Sequence, residues 1–151
     1  MDIFELIHDQ HEEVLDIVQK MMDTKPKAGK KRRELIDKLK DGLLPHMYAE
    51  ENYFYPVVDK EANSHDLISE AMDQHKSARR VLSEIESATE DDERWNSRLT
   101  EFKEMLEEHI DLEESDVFDR AREVVDEDRA DEMGDQFESM EEEAKAGKAS
   151  Y

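Results

Sequence analysis

The chain contains no cysteine. Disulfides, iron–sulfur clusters, thiolate zinc sites and Cys nucleophiles are therefore excluded, and any metal must be held by nitrogen and oxygen. Only four glycines and three prolines stand among 151 residues, so few breakers interrupt the chain. No segment approaches the run of about 18 apolar residues that a membrane-spanning helix needs. Positive charge is scarce: 21 Lys and Arg against 43 Asp and Glu leave a formal net charge of -22. That balance argues against a phosphate-binding surface and an anionic membrane, so neither a nucleic acid nor a membrane is expected as a partner. The N-terminal Met1-Asp2-Ile3-Phe4-Glu5 has neither the basic start nor the apolar run of a secretory signal, and a cytoplasmic location is expected. A nucleophilic triad, a Gly-rich phosphate loop and a basic recognition helix are likewise missing.

What is there suits helices. Charged residues make up 42% of the chain, rich in Glu and Lys, and the 36% that is hydrophobic is enough for helices that each bury one stripe. A chain of this length reads as one domain, residues 1–146, able to bury about 70% of its unfolded surface. Apolar spacing of three and four predicts helices over 3–22, 30–59, 65–88, 91–126 and 128–146. Pro45 and Pro56 are expected to kink or end the second locally. Asn63-Ser64 is expected to cap the third, and Thr89-x-x-Asp92 to form a capping box for the fourth. Met21, Met22, Met72 and Met105 read as packing residues. The fifth helix, with Met133, Phe137 and Met140 on a narrow face, is expected to lie across one side of the others, and residues 147–151 to fray. The expected fold is all-α: an antiparallel up-down four-helix bundle with a short C-terminal fifth helix.

Two stretches repeat at a spacing of about 64 residues. Asp9-Gln10-His11 returns as Asp73-Gln74-His75. His46-x-x-x-Glu50-Glu51 returns as His109-x-x-x-Glu113-Glu114, with an aromatic, Tyr55 and then Phe118, five residues after the first Glu of each copy. His11, His46, Glu50, His75, His109 and Glu113 all fall on apolar stripes, in line with Val, Leu and Ile. An unpartnered buried carboxylate costs several kcal/mol or takes up a proton. Two of them with four imidazoles in one core call for a compensating cation. His and Glu at i, i+4 share a helix face one turn apart, so a metal at their level takes the imidazole nitrogen and one carboxylate oxygen. The second oxygen is free to bridge to a neighbouring metal. Two such helices and two lone His give each of two metals about two imidazoles and two bridging oxygens, with positions left for water, oxide or a small ligand. Imidazole with carboxylate favours iron, with manganese or zinc as alternatives.

One His-x-x-x-Glu alone is a weak signal, and a lone His on a helix face is more often a satisfied core or surface residue. The weight lies in two matched copies on apolar stripes. The paired Glu-x-x-His of ferritin-like sites occurs here only once, as Glu5-x-x-His8, which excludes that class. His8 flanks the His11 stripe, and His65 at a helix start reads as surface. Glu51 and Glu114 are expected to point to solvent or a helix boundary. Tyr53, one turn beyond Glu50, is a candidate hydrogen-bond donor to the site, although a Tyr satisfied elsewhere explains it equally well.

From His11 through Phe118 the ordered ligand set resembles the hemerythrin-like, or HHE cation-binding, domains. The resemblance implies a four-helix bundle holding two iron ions joined by two carboxylates and a bridging oxo or hydroxo group. It assigns His11 and His46 to one iron and His75 and His109 to the other, with Glu50 and Glu113 bridging. Oxygen-carrying hemerythrins place a fifth His where this chain has Arg79, and a final carboxylate where it has Glu114; the internal repeat selects Glu113 instead. The four-His, two-Glu set is more similar to the di-iron domains of iron–sulfur-cluster repair proteins and iron or oxygen sensors. Those repair proteins carry a cysteine-containing N-terminal segment that this sequence does not have.

Three functions remain open on the sequence. The leading one is a non-haem di-iron protein that binds or reacts with oxygen, nitric oxide or peroxide. The second is iron storage or delivery without catalysis, including repair-type donation. The third is a plain helical interaction module.

Overall fold

The computed structural model describes residues 1–147, and every regular element among them is helical. The first helix, α1 (Ile3–Met22), starts where the Asp2 side chain accepts the Glu5 N–H at 2.9 Å, and it buries Ile3, Ile7, His11, Val14, Val18 and Met21 on one stripe. The second rod is α2 (Gly29–Ala49), a π-helical turn (Glu50–Phe54), then α3 (Tyr55–Glu61). A third helix, α4 (His65–Glu86), follows. The fourth rod repeats the second: α5 (Asp92–Leu112), a π-helical turn (Glu113–Val117) and α6 (Phe118–Arg122). The last helix is α7 (Glu127–Lys145), capped by Asp126 through the Arg129 N–H.

Five expected helices thus appear, with corrections. Each of the two long ones is interrupted by a π turn at its first Glu: the Tyr55 N–H reaches back five residues to the Glu50 carbonyl, and Phe118 does the same to Glu113. Pro45 sits inside α2 without ending it, while Pro56 occupies the first turn of α3, where a missing N–H costs nothing. The expected capping box is absent: Asp91 caps α5 through the Arg94 N–H, and the Thr89 carbonyl accepts from the buried Arg32. Ser64 stands at the start of α4, but its hydroxyl donates to the Ala62 carbonyl instead of capping. Of the tail expected to fray, residues 148–151 lie outside the described residues.

The helices α1, α2, α4 and α5 form a ring of neighbours, α1 on α2 and α5, and α4 on α5 and α2. Helix α7 lies across α1, α2 and the first π turn. Inside the ring the apolar core is split in two. One cluster includes Val18, Leu39, Val81, Ile85, Trp95 and Phe102; the other includes Ile7, Phe54, Val58, Val117, Phe118 and Phe137. The polar residues of the repeat fill the level between them. No helix among the described residues is long and apolar enough to cross a membrane.

Docking of α7 leaves no room at Gly134. A Cβ there would stand 2.3 Å from the Met1 carbonyl oxygen and 3.2 Å from the backbone of Asp2 and Ile3, and Ile3 is fully buried. Gly134→Ala is expected to cost about 1–3 kcal/mol by overpacking, read as a lower urea midpoint at unchanged slope.

Candidate metal centre

The six repeat residues meet. His11 comes from α1, His46 from the end of α2, His75 from α4 and His109 from the end of α5; Glu50 and Glu113 open the two π turns. All six are buried, and both glutamates are 0% exposed. Their donor atoms form two groups of four, His11, His46, Glu50, Glu113 and Glu50, His75, His109, Glu113, each with its atoms within 4.8 Å of one another. The two carboxylates belong to both groups.

Each imidazole points its Nε2 inward. His46 and His75 place theirs 3.2 and 3.1 Å from Glu50 Oε1, while His11 and His109 place theirs 3.1 and 3.4 Å from the two oxygens of Glu113. Each imidazole also meets an oxygen at its outer Nδ1: Glu114 for His11 at 2.7 Å, Gln10 for His46 at 2.6 Å, Glu51 for His75 at 2.7 Å and Gln74 for His109 at 2.7 Å. In a neutral imidazole an oxygen at Nδ1 holds the proton there and leaves the Nε2 lone pair facing the centre, the usual outer arrangement around a metal-binding His. The four outer residues are related in pairs as their histidines are, so the pseudo-twofold extends beyond the six.

The outer partners correct two expectations. Glu51 and Glu114 turn inward to His75 and His11, where they had been expected at solvent or a helix boundary. The physical reason is the π turn. It takes one more residue than an α turn, so Glu50 and Glu51, like Glu113 and Glu114, both reach the core side. The same shift replaces Tyr53 by Tyr55. Tyr53 is half-buried beside Arg129 and Glu132 on α7, while the Tyr55 hydroxyl donates to Glu113 Oε2 and lies 3.2 Å from His75 Nε2. The aromatic five residues after each first Glu was the visible signal, since five residues is one π turn. His8 stands outside both groups of four, with Nδ1 on Glu114 at 2.7 Å, and His65 is exposed beside Asp59. Arg79, at the place of a fifth His, donates to Glu51.

With only protein groups to balance it, the centre is frustrated. Burial, reinforced by the charge of Glu113, pushes the Glu50 carboxyl well above the ordinary carboxylate range. Burial acts on Glu113 in the same sense but is overcome by Glu50, His109 and His11, which hold that carboxyl well below it. Burial also opposes charge on His11, yet Glu113 and Glu114 raise its pKa to about 9. Burial and the neighbouring His11 lower His46 well below 6.5, and burial lowers His75 despite Glu51. Four buried side-chain atoms among the described residues lack a hydrogen bond: Arg79 Nε outside the cluster, and His11 Nε2, Glu50 Oε2 and Glu113 Oε1 within it, the first and last of these three lying 3.1 Å apart as an ion pair. Buried atoms without a hydrogen bond are costly, and the three within the cluster are of types that a cation takes as ligands. Nitrogen and oxygen donors at this spacing fit hard and borderline cations. A cavity of about 20 Å³, room for one small molecule, lies against the imidazoles, with Val14, Leu43, Ala78 and Leu106 as its apolar wall.

Fold and site together define a class: a helical protein with a buried His/Glu cluster able to hold a cation, set between two apolar clusters. The profile of the Hemerythrin HHE cation binding domain matches residues 2–121, and the chain belongs to that family. It is also similar to the crystal structure of a Hemerythrin HHE cation binding domain-containing protein from Mycobacterium kansasii, with a TM-score of 0.84 and 23% identity over 97% of this chain and 89% of that one. No curated protein sequence matches the chain.

Proposed function

We propose that the chain is a non-haem di-iron protein that binds or reacts with a small ligand: oxygen, nitric oxide or peroxide. In this reading His11 and His46 hold one iron, His75 and His109 the other, and Glu50 and Glu113 bridge them. The observation that carries it is the convergence of four inward-facing Nε2 atoms and two carboxylates in a buried core, with three of those atoms lacking a hydrogen bond. Only cations satisfy such a set. Iron is preferred to manganese or zinc on its match to mixed imidazole and carboxylate donors. The helices run up and down in antiparallel order, since three connections of three to six residues join successive rods.

Iron bound there would supply redox chemistry and open coordination positions. The chain's own residues do the rest. The outer oxygens keep every Nδ1 protonated and every Nε2 aimed inward. The two apolar clusters exclude water, and the small cavity limits what reaches the imidazoles to molecules of a few atoms. The Tyr55 hydroxyl holds a proton beside Glu113, and burial keeps it there by raising its pKa far above the ordinary value.

Purification without air from iron-grown cells is expected to yield two irons per chain, and a visible absorption that changes on admitting air or azide. Iron at trace level would overturn the reading. Iron that leaves to a mild chelator with helix content intact and no spectral response to air would favour storage or delivery.

A further inference from the structure

Gln10 and Gln74 occupy matching places in the repeat and do the same thing: each presents its amide oxygen to the Nδ1 of a site imidazole, His46 or His109. They are not held alike. The Gln10 amide nitrogen donates to Glu141 Oε1 at 2.8 Å, and Glu141 is a carboxylate on α7 that is only 6% exposed. No protein acceptor meets the Gln74 amide nitrogen among the described residues, and no helix there covers α4 and α5 as α7 covers α1 and α2.

A Gln amide has two faces. Rotated by half a turn about its last bond, it offers N–H where it offered oxygen. A carboxylate only accepts. Glu141 therefore draws the Gln10 N–H to itself and turns the amide oxygen to His46. An oxygen there requires the His46 proton on Nδ1 and the lone pair on Nε2, 3.2 Å from Glu50 Oε1. The reversed amide would offer N–H to Nδ1, which moves the lone pair outward and the proton onto Nε2. That proton would point into the donor cluster and block a cation.

We propose that Glu141 is a positioning residue of the metal centre: by accepting from Gln10 it holds His46 in the tautomer able to ligate. Helix α7, which lies beyond the residues that match the family profile, is then part of the site's machinery. The proposal rests on the reading of His46 as a ligand and deepens it.

The test uses the full-length chain loaded with zinc. The four Nδ1–H protons held by oxygen are expected at low field in the proton NMR spectrum of the wild type. Glu141→Leu is expected to lose or broaden one of them, and to bind zinc about ten- to a hundredfold more weakly in competition with a chelator. Glu141→Gln alone is expected to weaken binding as well, because a second amide lets Gln10 sit either way. The swapped double variant Gln10→Glu/Glu141→Gln restores direction: the carboxylate at position 10 accepts from His46, and the amide at 141 donates to it. It is expected to recover the fourth proton and bind within about threefold of wild type. If Glu141→Leu fails to fold, the contrast between Glu141→Gln and the swapped pair decides alone. Four sharp protons with unchanged affinity in the single variants, or a swapped pair no better than Glu141→Gln, would overturn the proposal. A wild-type chain that takes up neither zinc nor iron would overturn the metal-centre reading, and this assignment with it.

Discussion

Replacing Glu50 by Gln is expected to cut metal affinity sharply while raising the melting temperature of the metal-free protein. The two effects have one cause. In the folded chain the Glu50 carboxyl is fully buried, its Oε2 lacks a hydrogen bond, and burial beside Glu113 pushes its pKa well above the ordinary range. Burying such an acid works against folding, and exchanging it for a neutral group of the same shape relieves that cost. A bound cation reverses the sign, because it needs the charge that folding resists. Losing one partner of a buried charge costs about 3–5 kcal/mol. The variant should therefore bind zinc or iron about a hundred- to a few thousandfold more weakly. Calorimetry on metal-free and metal-loaded samples of both proteins checks the crossing. If the variant kept its metal, or if its metal-free form melted well below wild type, Glu50 would be structural and the site reading would fail.

A second crossing is expected with pH. His11 has a folded-state pKa of about 9 against an ordinary value of 6.5. A raised pKa means that the folded state binds the proton more tightly. Its contribution is complete below pH 6.5 and is lost as the pH rises to 9; at this burial it amounts to roughly 3 kcal/mol. Metal-free protein should therefore lose stability to urea across that window. His46 and His75 act on the other side: their lowered pKa values give stability that is present above 6.5 and lost as the pH falls through their folded values. Metal-free stability should peak near pH 6.5. Metal affinity should instead climb through the same window, by about tenfold per pH unit, because a cation on His11 Nε2 must displace that proton. Urea midpoints and zinc competition at pH 6, 7, 8 and 9 measure both slopes. A flat or rising metal-free midpoint from 6.5 to 9 would mean that His11 does not hold the charge assigned to it.

Much of the site was legible because the chain repeats itself. A His on an apolar stripe carries little information, but matched copies of Asp-Gln-His and His-x-x-x-Glu-Glu showed which polar residues share a level, and the six stand there. The outer shell was harder to read. Gln10 and Gln74 were printed inside the repeated triplet, yet only their contact with Nδ1 shows why a Gln belongs beside each His. Glu51, Glu114 and Tyr53 were placed by counting α-helical turns, and the count fails where the backbone closes over five residues. Glu141 had no signal, because the repeat ends before α7 and the contact with Gln10 spans 131 positions.

The sequence alone determined that the chain is helical, that its interior holds six ionisable residues at one level, and that nitrogen and oxygen are the only donors. These follow from spacing and composition, which act within a turn or two of the chain. Tertiary structure decided what those residues do to one another. The π turns that bring two adjacent glutamates inward, the oxygen at every Nδ1 and the hold of α7 on Gln10 all depend on distances between helices. Side chains far apart in sequence settle their protons only when packing brings them within hydrogen-bond reach.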